Sequence, residues 1–205
     1  MSRLARGIVR LDGKQTNRRS YALTRGDLPP RCPIRLRSVR RHLLVVPQGS
    51  EIDTVQRWRH TWDPVMASVV PPHVTLAYPE ETADEALLLY RAEHLTPLVP
   101  PVRLRLDEVF AEEEGRGGVF LRVADVDGGW AELRGELLAD PMTPIDFPAH
   151  LTLVHPRTSK RGADCRAALA GRRLAATVWV REVLFTETTA DTFTVLRRFP
   201  LSGTG

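Results

Sequence analysis

His73-Val74-Thr75-Leu76 and His150-Leu151-Thr152-Leu153 are the stretches that decide how this 205-residue chain reads. The first lies in a run, His73–Tyr78, stopped by Pro79; the second lies in Phe147–Val154, ahead of Pro156. Both runs have the apolar content and the flanking breakers of β-strands. Residues two apart in a strand share a face. Each tetrapeptide therefore shows an imidazole beside a hydroxyl on one side and plants two apolar residues in a core on the other. A single strand histidine is ordinarily a hydrogen-bonded structural residue. Two copies at matching places in a repeated pattern point to chemistry instead.

The pattern around the motifs does repeat. A strand over 42–46 precedes a helix opened by Ser50, with Val55, Trp58 and Trp62 on one face and Pro64 ending it or lying just beyond. The first motif strand follows, then a helix over Ala83–Leu95 capped by Thr82, then an alternating strand over Val102–Leu106. Beyond a turn at Glu112–Gly118 comes a strand over 119–123, a helix over 129–139, the second motif strand and a helix over 163–174. Strands over 177–187 and 193–201 close the chain. Strand, helix, histidine strand, helix and strand thus occur twice. We expect two similar lobes of mixed α and β structure, about 38–112 and 117–201, with strands open to exchange between them. Trp58, Trp62, Trp130 and Trp179 read as core, Glu112–Glu114 as a solvated turn, and His42, His60 and His94 carry no motif.

Charge is distributed unevenly. Residues 1–41 hold 12 of the 29 Arg and Lys against two acids, a net +10, while the remainder carries −6. The basic stretch over 1–37, rich in Gly and Pro and without apolar periodicity, reads as a disordered extension. Its functional reading is an arm that attracts phosphate. No apolar run approaches the roughly 20 residues of a membrane span. Cys32 and Cys165 stand in no metal or redox spacing, and no signal core opens the chain, so a cytoplasmic, membrane-free protein is expected.

Two imidazoles and two hydroxyls suit general acid–base work on a phosphodiester. A neutral imidazole takes a proton from water while a protonated one gives a proton to the leaving oxygen. Thr75 and Thr152 can donate to the non-bridging phosphate oxygens. Nothing in this scheme needs a metal or other cofactor. The chain also lacks HExxH, a P-loop and paired acidic ligands.

Two His-x-Thr-Leu motifs half a domain apart, on strands of a duplicated α/β pattern, resemble the two-histidine (2H) phosphoesterase superfamily. Within it they are most similar to the bacterial 2'-5' RNA ligase and RNA 2',3'-cyclic phosphodiesterase group. The resemblance spans about residues 38–201 and is specific at the two tetrapeptides. It implies an α+β, bilobal fold, each lobe an antiparallel-rich sheet with flanking helices, and an active cleft between them. It also implies opening of 2',3'-cyclic phosphates to 2'-phosphates, with RNA ligation as the related transfer. Carried over by position, His73 is the proton donor, His150 the proton acceptor, and Thr75 and Thr152 hold phosphate. Tyr78, His155 and Arg157 are candidate substrate contacts. Members of the group often carry Arg five residues after the second histidine, where this chain has His155. The partner expected for a monomeric enzyme is an RNA or nucleotide bearing a cyclic phosphate. A small cyclic nucleotide, an ADP-ribose cyclic phosphate or a 2'-5' oligonucleotide are alternative substrates. A non-catalytic nucleotide-binding module and an interaction protein working through the basic arm are readings from other classes.

Overall fold

The computed structural model describes residues 39–112 and 117–204. The basic stretch over 1–37, Cys32 and most of the Glu112–Gly118 turn lie outside the described residues. Eight strands form one antiparallel sheet: β1 (Arg40–Val45), β2 (Val74–Ala77), β3 (Val102–Ala111), β4 (Val119–Asp125), β5 (His150–Val154), β6 (Arg173–Val180), β7 (Glu182–Thr188) and β8 (Phe193–Pro200). Their order is β6-β3-β4-β5-β2-β1-β7-β8. The two motif strands, β2 and β5, are the central neighbours, and they pair at one position, Val74↔Leu151. That junction divides the sheet into two four-stranded halves.

The halves are not contiguous in sequence. β3 sits between β6 and β4, in the half of the second motif, while β7 pairs with β1 and β8 with β7, in the half of the first. The stretch expected to be one strand over 177–187 is therefore two. It breaks at Arg181, where the chain passes from one outer position in the sheet to the other half. Continuous β-forming residues hide that crossing, because propensity reports a pleated surface and not its partner.

Among the described residues five α-helices accompany the sheet: α1 (Ser50–Trp62), α2 (Pro64–Val69), α3 (Glu85–Leu95), α4 (Gly129–Leu137) and α5 (Gly162–Leu169). Ile52 and Val55 of α1, Leu88 and Ala92 of α3, Leu133 and Leu137 of α4, and Cys165 and Leu169 of α5 join one core. From the strands, Leu43, Val45, Val74, Leu76, Leu104, Leu121, Leu151, Leu153, Val183 and Phe185 enter the same core. By strand parity the alternating residues, among them His42, Thr75, Phe120, Arg122, His150 and Thr152, belong to the opposite face. The α+β architecture with helices packed on an antiparallel sheet is the expected one.

Several local expectations are corrected. Pro64 lies just beyond α1, as one of the two expected readings has it, but a second helix follows at once. Pro64 opens α2, whose first turn is capped by the Asp63 carboxylate accepting from Met66 N at 3.1 Å. Asp84, not Thr82, caps α3, accepting from Leu87 N at 3.0 Å, while the Thr82 hydroxyl donates to Tyr78 O. Helix α5 stops at Leu169 because Gly171 turns the chain at φ 70° into β6. Trp179 is not core: it is 49 % exposed, with Arg103 and Arg181 each 5.7 Å from its ring. On α1 the fully buried positions include Arg59, while Trp58 and Trp62 are partly buried against the core.

Candidate active site

The alternation read from the motifs is present. Val74, Leu76, Leu151 and Leu153 are fully buried, and His73, Thr75, His150 and Thr152 are half-buried. Burial of an apolar side chain of this size contributes about 1.5–3 kcal/mol. The anchoring residues thus fix the height and direction of the polar ones. Antiparallel pairing at Val74↔Leu151 brings the two motifs together head to tail. Continued by one residue in each direction, that register sets His73 opposite Thr152 and Thr75 opposite His150. The four polar side chains form a pseudo-twofold quartet.

Both imidazoles are wired alike. His73 Nδ1 lies 2.9 Å from Pro71 O, and His150 Nδ1 lies 2.8 Å from Pro148 O. A carbonyl only accepts, so Nδ1 carries the hydrogen in each ring and Nε2 is the nitrogen left to exchange a proton. The proline two residues ahead of each histidine serves this geometry: its ring fixes the extended approach that turns its carbonyl toward the imidazole.

The surroundings of the two rings differ. Burial, set against the Pro71 hydrogen bond, lowers the pKa of His73 to about 4, with Arg59, His42 and His150 pressing it further down. His150 is also lowered, by burial, with its Pro148 contact acting the other way. Phe120 and Phe147 meet the His150 ring edge-on at 4.8 and 4.9 Å, with Phe110 behind them. Arg122, the register partner of His150, lays its guanidinium 4.7 Å over the Phe110 ring.

Behind His73 stands Arg59. It is 1 % exposed, donates to Val70 O at 2.7 Å and to Gln56 Oε1 at 2.8 Å, and so holds the segment leading into Pro71. Burial brings its own pKa down to about 10. His42 on β1 reaches the same face, its ring 6.4 Å from that of Tyr78. Burial lowers the His42 pKa to about 4.

A buried ion pair ties the two motifs together. The Glu81 carboxylate accepts from Tyr78 N at 2.8 Å, from Ile145 N at 2.7 Å and from the Arg134 guanidinium. Arg134 donates in turn to Leu76 O of the first motif and to Ile145 O, ahead of the second.

The expected substrate contacts Tyr78, His155 and Arg157 scatter, and the cations near them are engaged elsewhere or exposed. Tyr78 lies beside Thr75, and burial raises its hydroxyl to about 12 while the Thr75 hydroxyl pulls it back. His155 follows the end of β5. Its N–H donates to Asp63 at 2.9 Å, and its Nδ1 accepts from Arg157 N at 3.1 Å, the reverse of the motif histidines. Arg157 is exposed. Lys160 and Arg161 belong to a loop pinned to α1, with the Arg161 guanidinium donating to Thr61 O and lying 4.6 Å over Trp62. Arg103 is paired with Asp127, and Arg105 is exposed. Among the described residues no three His, Cys, Asp or Glu side chains gather where they could hold a metal, and no helix is long and apolar enough to cross a membrane. Phe120, Phe147, Arg122, Arg59 and the Glu81–Arg134 pair escaped the sequence reading. Phe120 and Arg122 were marked only by parity, standing out of phase with Val119, Leu121 and Val123.

The model of the 2'-5' RNA ligase superfamily matches residues 46–192, well over half of the chain. LigT of E. coli, crystallised with 3'-AMP, is 22 % identical with a TM-score of 0.56, covering 80 % of this chain and 98 % of LigT. A structure described as a phosphoesterase is 21 % identical with a TM-score of 0.58, covering 80 % of this chain and 99 % of its own. A protein of Thermus thermophilus is 20 % identical with a TM-score of 0.54, covering 81 % of this chain and 100 % of its own. No curated protein matches. With its paired His-x-Thr strands and this match, the chain belongs to the 2'-5' RNA ligase superfamily of two-histidine phosphoesterases.

Proposed function

We propose that this protein opens 2',3'-cyclic phosphate ends of RNA or nucleotides to 2'-phosphates, with 2'-5' RNA ligation as the related transfer. The observation that carries the reading is the matched wiring of His73 and His150, each giving Nδ1–H to a proline carbonyl and keeping Nε2 for proton exchange. Water attacks phosphorus, its proton passes to one neutral Nε2, the bond from phosphorus to the 3'-oxygen breaks, and the other, protonated Nε2 supplies the proton that oxygen takes up. Thr75 and Thr152 donate to the non-bridging oxygens as charge builds there. The family pattern makes His73 the donor and His150 the acceptor. In the free protein His73 is held at about 4, below the ordinary 6.5, so a donor there depends on the anionic phosphate drawing a proton onto it. Tyr78 and, at the end of β5, His155 and Arg157 are the further substrate contacts in this reading. LigT structures with 3'-AMP, NADP+ and ATP support a nucleotide as the ligand class.

The test is a short RNA ending in a 2',3'-cyclic phosphate, incubated in EDTA with wild type, His73→Ala and His150→Ala. The expected result is a 2'-phosphate from wild type and a loss of about 10²–10⁴-fold in each variant. Equal product from the variants overturns the assignment of the histidines. Turnover of small cyclic nucleotides but not RNA moves the substrate to the smaller class.

A further inference from the structure

Resting on the reading above, we infer that His42 is a third working imidazole on the catalytic face, its Nδ1 taken by the Thr186 hydroxyl and its Nε2–H offered to a phosphate oxygen of the substrate. Strand β1 lies next to β2, and Leu44 is the register partner of Thr75. His42 stands two residues from Leu44 and shares its face, about 8 Å from Thr75 by strand spacing and rise. Its ring lies 6.4 Å from that of Tyr78, edge toward face, and it is one of the groups that act on His73. The ring therefore borders the quartet without belonging to either motif.

Two orphaned atoms carry the assignment. His42 Nδ1 and Thr186 Oγ1 are both buried with no hydrogen-bond partner among the described residues. Of the ring's two nitrogens only Nδ1 is enclosed in this way. His42 and Thr186 are register partners across β1 and β7, and Thr186 is fully buried. Facing residues of an antiparallel pair hold their Cβ atoms about 4.5–5.5 Å apart, so one side-chain turn or one water joins the two groups. Buried polar atoms are almost always satisfied, and an orphaned donor is rarer than an orphaned acceptor. The hydroxyl proton therefore goes to Nδ1, which leaves the ring hydrogen on Nε2. His73 and His150 are the reverse, with the hydrogen on Nδ1 and Nε2 bare. The face then holds two imidazoles built to exchange a proton and one built to donate a hydrogen bond. Burial, helped by Arg40 and opposed by Glu80, keeps His42 at about 4, so the donor is a neutral ring at neutral pH. Arg40 itself is occupied by Glu80 at 2.6 Å. An anionic oxygen is the acceptor that strengthens such a bond most.

The experiment measures steady-state kinetics on adenosine 2',3'-cyclic phosphate and on a dinucleotide ending in the same group. The full chain is used as wild type, His42→Phe, His42→Gln, Thr186→Val and Thr186→Ser, with thermal unfolding as the fold control. His42→Phe should raise KM about 10- to 100-fold, the worth of a hydrogen bond to a charged group, with kcat little changed. His42→Gln keeps an N–H at the place of Nε2 and Thr186→Ser keeps the hydroxyl, so both should stay close to wild type. Thr186→Val should raise KM by less than His42→Phe does. Nitrogen-resolved NMR of the ring should show the Nε2–H tautomer in wild type and its loss in Thr186→Val. A rise on both substrates sets the donor on the reacting phosphate, and a rise on the dinucleotide alone sets it on the next one. An unchanged KM on both in His42→Phe, or the Nδ1–H tautomer in wild type, overturns the inference. The reaction is judged apart, by equilibrium binding of the two products that end in a 2'-phosphate. Binding weakened in His42→Phe without turnover of cyclic phosphates keeps the donor and removes the proposed hydrolysis. Turnover and binding that are the same in His42→Phe as in wild type do the reverse.

Discussion

His73 and His150 hand Nδ1–H to the same kind of acceptor at nearly the same distance and burial lowers both, yet one ring is backed by a buried guanidinium and the other by hydrocarbon. Burial is the largest cause that lowers His73, and Arg59, His42 and the partner imidazole oppose its protonation further. Around His150 stand Phe120 and Phe147, and burial is the cause that lowers it. The difference shows how a duplicated motif can be made asymmetric without touching the motif itself. Identical His-x-Thr strands keep the two nitrogens equivalent in orientation. The neighbours, supplied by α1 and β1 on one side and by β4 and the α4–β5 loop on the other, set which nitrogen takes a proton first.

The largest effect should come from breaking what the two sites share. Arg134→Met leaves the Glu81 carboxylate, itself fully buried, without its cation. Loss of one partner of such a pair costs about 3–5 kcal/mol. Because Glu81 also binds Tyr78 N and Ile145 N, both motifs should loosen together, and activity and stability should fall in step. Turnover of a cyclic phosphate measures the first, and urea unfolding the second. The double variant Glu81→Met/Arg134→Met should regain much of the stability, since no uncompensated charge remains. A single variant as stable as wild type would separate the two sites.

A second prediction sharpens the contrast. Arg59→Met removes a buried cation that acts on His73 and is not among the causes acting on His150. The His73 titration, followed by NMR, should move up toward the ordinary 6.5, and the His150 titration should stay. In kcat/KM, which reports the free enzyme, the limb belonging to His73 should shift to higher pH. Movement of both rings by equal amounts would show that the helix backs the whole quartet and not one half.

Acid stability gives a third, smaller signal. Native His42 and His73 both sit at about 4, against an ordinary value of 6.5. Between those limits the unfolded chain binds protons that the folded one refuses, so stability present above about pH 6.5 is lost as pH falls toward 4. His42→Phe should flatten that slope in denaturant titrations at about pH 7.5 and about pH 5, because one of the reluctant groups is gone. An unchanged slope would place the acid sensitivity elsewhere.

Much of this was written in the sequence, and the rest was not for identifiable reasons. The motif strands and their faces were legible because an alternation of period two needs only neighbours along the chain. The helices were legible within a few residues, their breakers less so: Pro64 can end one helix or begin another, and only the Asp63 cap decides. The break at Arg181 was invisible, since strand order depends on partners far away in sequence. The same holds for the quartet's supports. Arg59 on α1 looks like an exposed arginine between two tryptophans, and nothing local reveals that it is buried against Val70 O. Glu81 and Arg134 meet across 53 residues, a pairing no spacing rule addresses.

Phe147 offers the smallest and most selective change. Its ring meets His150 at 4.9 Å and 87°, but it is already 36 % exposed, so its removal touches little of the core. An edge-to-face aromatic contact is worth about 0.5–1.5 kcal/mol beyond area, and Phe147→Leu should cost no more than that in unfolding free energy. Leucine keeps apolar bulk but admits more water around the imidazole. Since burial is what lowers His150, its titration should rise, while that of His73, held by its own burial and by Arg59 and His42, should not. Read beside Arg59→Met, this gives a cross: one substitution moves the first ring alone, the other the second alone. If Phe147→Leu moved His73 instead, the two histidines would be coupled through the quartet, and the asymmetry of their surroundings would not set their order of protonation.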